Sequence, residues 1–328
     1  MPYKLKDPVR HKFTKQSYNK RDWKAYEEGL RNRGNLTIWF CEDAVAAWNH
    51  CDNGNRKRGR QRRYSDLAIE TSHTIRLVYK QALRQTEGLM RSIAHLMGLD
   101  IAIPDHTTLS RRSKRVLRRK KSLPGAKGPV VIIVDSTGLK VVGEKEWMNH
   151  KHGTRQRKVW RKLHLCINED GEILRATLTS HIESDTGQVS KLLEGIEEPI
   201  TEMIGDGGYD SPSTYESLEI HQKRCNQNKP IQAIIPPNTG FQEAKETDSA
   251  QRLSNIRLIE DKGKLSWQNQ MDYGRRARVE NTMYRYKAII GNKLRSKNLE
   301  NQNMEIQIGV QILNRMAQLG MPKARKAA

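Results

Sequence analysis

The chain is predicted to be an α/β protein: a mixed five-stranded sheet with flanking helices, preceded by a mainly helical region. Three observations carry that prediction. The apolar runs VVIIV and EMI lead into Asp135 and Asp206, and short apolar runs beside turn signals read as buried strands. KVWRKLHLCIN and EILRATLTS flank Glu169-Asp170-Gly171, the pattern of a hairpin. Apolar residues recur at helical spacing over 65–99, 274–292 and 301–319.

With 328 residues the chain can bury a substantial core and hold two or three domains. Its formal net charge of +22 is unevenly placed. Residues 1–130 contain 29 Lys+Arg against 12 Asp+Glu, and residues 131–328 contain 30 against 25. A basic portion ahead of a nearly balanced body implies that the first part grips phosphates and the second does chemistry. Cys41, Cys51, Cys166 and Cys225 are scattered without zinc spacing. The polar N-terminus carries no secretory signal, and no apolar stretch is long enough to span a bilayer. A cytoplasmic, nucleoid-associated protein with reduced thiols is expected, with no membrane partner.

Four regions are expected. Residues 1–63 form a basic N-terminal region in which Tyr18, Trp23, Tyr26 and Leu30 mark one helix face, Gly34 stops the helix, and a short strand or turn precedes another helix. The run from Arg56 to Arg63, with Arg58 and Arg60, is broken by glycine and reads as a mobile arm on a phosphate backbone or as a solvated linker. Residues 64–127 begin with a Ser65-Asp66 cap and two or three helices. They end in PDHTT followed by TLSRRSKRVLRRKK, the layout of a helix-turn-helix whose basic helix, with Arg111, Arg112 and Arg115, enters the major groove. SLPGAKGP marks the boundary to a catalytic domain at 128–320, and 321–328 is a basic tail.

Within 128–320 a strand at 130–135 continues through LKVV, and the hairpin follows. Next come a helix at 186–196, a strand at 202–206, a helix at 212–223 and a short strand, QAIIPP; 237–270 is ambiguous. This order matches the RNase H-like arrangement, in which acids from the first and fourth strands meet a third from a later helix. A doubly wound nucleotide-binding fold is disfavoured because neither GxGxxG nor GxxxxGK[ST] occurs. Asp135, Asp206 and Glu280 in RRARVENTMYRYK are therefore the candidate acids. Three convergent carboxylates suit hard divalent cations and phosphoryl chemistry.

At these residues the chain resembles bacterial insertion-sequence transposases of the DDE type, in the branch typed by insertion sequence five. Tyr273, Arg276, Glu280 and Lys287 match its Y-x2-R-x3-E-x6-K signature at every spacing. IIVDSTGLK, WRKLHL and IGDGGYDS resemble its strand motifs, YSDLAIETSHTIRLVYKQALRQTEGL and PDHTTLSRR its helical region, and the likeness runs from about residue 15 to 320. The resemblance implies that Asp135, Asp206 and Glu280 ligate two Mg²⁺ or Mn²⁺ ions for strand cleavage and transfer. It further implies that Arg276 and Lys287 contact DNA phosphates near the scissile bond, with Tyr273 against the same strand. Arg275, Arg278 and Arg285 would add general phosphate attraction. The implied partners are the element's terminal inverted repeats and target DNA, bound by a homodimer or higher oligomer, with no small-molecule substrate.

Other residues are open to two readings. His150 and His152 suit a DNA-contacting or solvated loop, and His164 a place near the acids or a structural role. Asp210 reads as a helix cap, Gly205, Gly207 and Gly208 as backbone approach, and Ser136 and Thr137 as orienting Asp135. A metal-dependent nuclease of the same fold and a non-catalytic DNA-binding regulator are the alternative functions.

Overall fold

The computed structural model describes residues 23–50, 62–116, 128–141, 160–238 and 249–320. Arg58, Arg60, His150, His152 and the tail 321–328 lie outside them, as does the side chain of Arg115. The chain divides into two compact units, Met1–Ile38 with Arg315–Ala328, and Trp39–Asn314.

In the first unit α1 (Trp23–Arg33) stops before Gly34, as its sequence predicts. A Cβ on Gly29 would lie 2.6 Å from the Leu319 carbonyl oxygen, so only glycine permits this approach. Arg33 donates to the Gly320 carbonyl at 2.8 Å beside it. The expected strand or turn at 36–40 is instead a one-turn helix, α2 (Leu36–Trp39), followed by α3 (Glu42–Ala46).

The second unit begins with a helical cluster organised by Trp48. This fully buried ring packs edge-on to Phe40 and donates Nε1–H to the Ala102 carbonyl at 2.7 Å. Two helices fill 65–99, α4 (Asp66–Val78) and α5 (Leu83–Leu96), and α6 (His106–Val116) follows. Ser65 caps α4 by accepting from Ala68 N, and Asp105 caps α6 by accepting from Thr107 N and Thr108 N, each at 2.8 Å. Buried His73 of α4 donates Nε2–H to the Leu109 carbonyl on α6.

The sheet contains β1 (Val130–Val141), β2 (Trp160–Ile167), β3 (Ile173–Ser180), β4 (Ile200–Ile204), β5 (Gln232–Ile234) and β6 (Lys293–Leu294). Its order is β3-β2-β1-β4-β5, with β6 also on β1. β1, β2 and β3 are antiparallel neighbours, whereas β4 and β6 run parallel to β1 and β5 parallel to β4. This is the predicted RNase H-like order with one strand added. The two-residue β6 was missed because so short a pairing has no apolar run or alternation to betray it.

The segment 186–196 forms a 3₁₀ turn (Thr186–Gln188) and α7 (Val189–Leu193); α8 spans Pro212–Arg224. Both pack Val189, Leu192, Tyr215 and Leu218 with Ile132, Val134 and Met203 on one sheet face. The ambiguous segment forms α9 (Ala250–Lys262) and α10 (Lys264–Gln270). Gln251 of α9 completes the hydrogen bonding of edge strand β5, accepting from Ala233 N at 2.7 Å and donating to the Ile231 carbonyl at 2.8 Å. A 3₁₀ turn (Tyr273–Arg276) then leads into α11 (Ala277–Ile289), and α12 (Leu299–Leu319) follows β6.

Candidate active site

Asp135 sits inside β1 opposite Leu165 of β2, and on the other side β1 pairs with β4. Its side chain is 12% exposed, and its Oδ1 accepts from Ser136 N at 2.7 Å. β4 ends at Ile204, so Asp206 lies in the following turn, where Oδ1 accepts from Gly208 N at 2.9 Å. A Cβ on Gly208 would fall 2.9 Å from that same oxygen, so glycine lets the turn close on the carboxylate. Glu280 occupies the first turn of α11, the end where a helix dipole favours negative charge.

One guanidinium joins all three. Arg276 lies 2.9 Å from Asp135, 3.7 Å from Asp206 and 2.5 Å from Glu280. Burial pushes the Asp135 carboxyl up to about 6; Arg276 and the Ser136 N–H oppose the rise, and the two neighbouring acids add to it. Burial acts to lower the Arg276 pKa, but Asp135, Tyr273, Glu280 and Asp206 together raise it, so it stays cationic. Lys287, two turns beyond Glu280, donates to Thr137 Oγ1 at 2.6 Å.

The sequence-predicted residues Asp135, Asp206, Arg276, Glu280 and Lys287 thus gather where β1, the turn after β4, the 3₁₀ turn and α11 meet. Tyr273 packs on Trp267 with ring centroids 5.3 Å apart, and burial pushes its hydroxyl up to about 12. Tyr273 and Arg276 stand on the 3₁₀ turn, and Glu280 and Lys287 on α11.

Several residues have other duties. Arg275 pairs with Glu202 at 2.6 Å and Glu169 at 3.2 Å, and Arg278 donates to the Glu169 carbonyl at 2.7 Å. These two arginines tie the β2–β3 turn to the 3₁₀ turn and α11; Arg275 is largely buried, whereas Arg278 keeps an exposed side chain. Arg112 donates to the Tyr64 carbonyl and the Asp66 carboxylate, each at 2.5 Å, fastening α6 to the start of α4; Arg111 is exposed. His164 pairs in register with Ser136, so it faces away from Asp135. There its Nε2 meets Thr179 Oγ1 at 2.8 Å and Nδ1 lies 3.6 Å from Asp185. Asp210 is not the cap of α8, whose N-cap is Ser211. It forms a buried ion pair with Arg252 of α9 at 3.0 Å. Ser136 contributes its backbone N–H to Asp135, while Thr137 serves Lys287. Trp267 and Arg252 went unnoticed because the segment holding them lacks clear periodicity.

Among the described residues no group of three acidic, histidine or cysteine side chains is arranged to hold a metal ion as it stands. Here the carboxylates turn to Arg276 instead. Their chemistry nevertheless suits a hard divalent cation: the donors are all oxygen, and the buried Asp135 carboxylate calls for a compensating positive charge.

Two sequence-family models match the chain, each described as a transposase DDE domain, over residues 31–144 and 126–315. Among solved structures, a piggyBac transposase synaptic complex with hairpin DNA aligns with TM-score 0.40 and 8% identity, covering 92% of this chain and 76% of that one. The second family model alone spans more than half of the sequence and contains all three acids. The chain belongs to the DDE transposases.

Proposed function

We propose that Asp135, Asp206 and Glu280 form the catalytic centre of a transposase that cuts the terminal inverted repeats of its own insertion sequence and joins them to target DNA. The observation that carries this reading is the gathering of three carboxylates from β1, the β4 turn and α11 around a single guanidinium. These carboxylates would hold two Mg²⁺ or Mn²⁺ ions. When bound, such ions supply an activated nucleophile and charge stabilisation at the leaving oxygen.

The chain's own groups prepare that chemistry. β1 fixes Asp135, and the Ser136 N–H holds one of its oxygens. Arg276 balances the repulsion among the acids and is long enough to turn toward a phosphate. Lys287 places a second positive charge on the same side of α11. The helical region at 64–127, with Arg111 exposed on α6, would hold the repeat as a helix-turn-helix does. Two ends must be kept together for joining, which calls for a dimer or larger assembly on DNA.

The test is cleavage of a labelled duplex carrying the inverted repeat that flanks the reading frame, with Mg²⁺, with EDTA, and with the Glu280→Gln protein. Metal-dependent nicking at the repeat end, lost in the variant, is expected. Specific binding without cleavage would replace this reading with the regulator. Cleavage at scattered sites without joining would favour the nuclease.

A further inference from the structure

Tyr284 has no role in the fold or in the site as described. It is 73% exposed on α11, whose core-facing side is formed by Val279, Thr282, Met283 and Tyr286. The helix already buries one tyrosine, Tyr286, two residues on, and leaves most of Tyr284 to solvent. Tyr284 stands four residues after Glu280 and three before Lys287, the two offsets that make side chains neighbours on a helix. One flat aromatic face thus lies beside the third acid and a lysine, with Arg276 a turn before Glu280.

We infer that Tyr284 is a stacking platform for an unpaired DNA base next to the phosphate held at the acids. The inference rests on the function proposed above and assigns the base-side contact of that site. Lone exposed aromatics are common on protein surfaces; this one is set apart by Lys287 one turn on and by Arg276 before Glu280 on the same side, two cations that complement a phosphate chain. A strand anchored through its phosphates at Arg276 and Lys287 carries its bases away from the carboxylates and across the exposed crown of the helix. A paired base inside a duplex offers no free face, so the occupant is an unpaired or end base. Stacking is tolerant of sequence because every base has a π-face.

The test uses the full chain in EDTA with a short single-stranded DNA containing one 2-aminopurine, and with the same sequence as a duplex. Affinity and 2-aminopurine quenching are read for the wild type, Tyr284→Ala, Tyr284→Phe and Lys287→Ala. Tyr284→Ala is expected to weaken single-strand binding about tenfold and to abolish quenching. Tyr284→Phe should behave as wild type, duplex binding should change less, and thermal melting of Tyr284→Ala should be unaltered. Wild-type affinity and quenching in Tyr284→Ala, with binding weakened in Lys287→Ala, would overturn the platform while leaving DNA at the site. If neither variant alters the binding of either DNA, the strand does not cross this face, and the proposed DNA site fails with the platform.

Discussion

The guanidinium of Arg276 lies 2.9 Å from the carboxylate of Asp135 and bridges it to Glu280 on the following helix. This cation meets the charge of the acids, so a divalent cation placed among them would have to compete with it. Arg276→Gln is therefore expected to tighten Mn²⁺ binding to the DNA-free protein about tenfold, a ratio equivalent to about 1.4 kcal/mol. Under the proposed function, cleavage should fall in the same variant, which would lack the Arg276 phosphate contact. Calorimetric titration of Mn²⁺ checks the first half; weaker binding in the variant would show that Arg276 assists the ion instead.

Lys287 donates to Thr137 Oγ1 at 2.6 Å. If it exchanges that hydroxyl for a phosphate, Lys287→Ala should weaken binding of different DNA sequences alike. The slope of log affinity against log salt should fall by about one contact. Fluorescence anisotropy across a salt series measures this, and an unchanged slope would confine Lys287 to holding β1 against α11.

His73 provides a pH test of the helical region. Burial, assisted by Arg76 nearby, lowers its pKa to about 4 from the ordinary 6.5. Its Nε2–H is used on the Leu109 carbonyl, and its Nδ1 is buried with no hydrogen-bond partner among the described residues. The folded state therefore resists a proton that the unfolded chain accepts. The contribution is complete above pH 6.5 and is lost as the pH falls toward 4, amounting to at most about 3 kcal/mol. His73→Gln should flatten melting temperature against pH over that window; an unchanged profile would remove His73 as the cause.

The buried Asp210–Arg252 pair joins the turn after Asp206 to α9. Arg252→Ala leaves a buried carboxylate without its cation and is expected to destabilise the protein by about 3–5 kcal/mol. Denaturant unfolding measures it. A loss below about 1 kcal/mol would mean that water reaches Asp210 once the arginine is gone.

The acids were legible because each follows or opens a segment whose local pattern is strong: VVIIV before Asp135, EMI before Asp206, and the helical spacing around Glu280. The ends of α4 and α6 were legible for a similar reason, since Ser65 and Asp105 cap through bonds to residues two or three positions away. Contacts between distant segments were not. Nothing near Asp210 points to Arg252, 42 residues on, and nothing near Arg275 points to Glu202. The helix-turn-helix layout put Arg112 forward for DNA and charge put Arg275 and Arg278 forward for phosphate, whereas only the folded chain shows that these arginines also serve carboxylates and carbonyls.

The three acids differ in how firmly they are held. Asp135 belongs to a strand paired on both sides and is 12% exposed, whereas Asp206 and Glu280 are 42% and 56% exposed on a turn and a helix start. Under the proposed function, Asp135 would serve as a fixed reference and the other two acids as the more exposed, adjustable ones. Any change in spacing among the acids would then fall on the turn after β4 and the start of α11 rather than on the sheet.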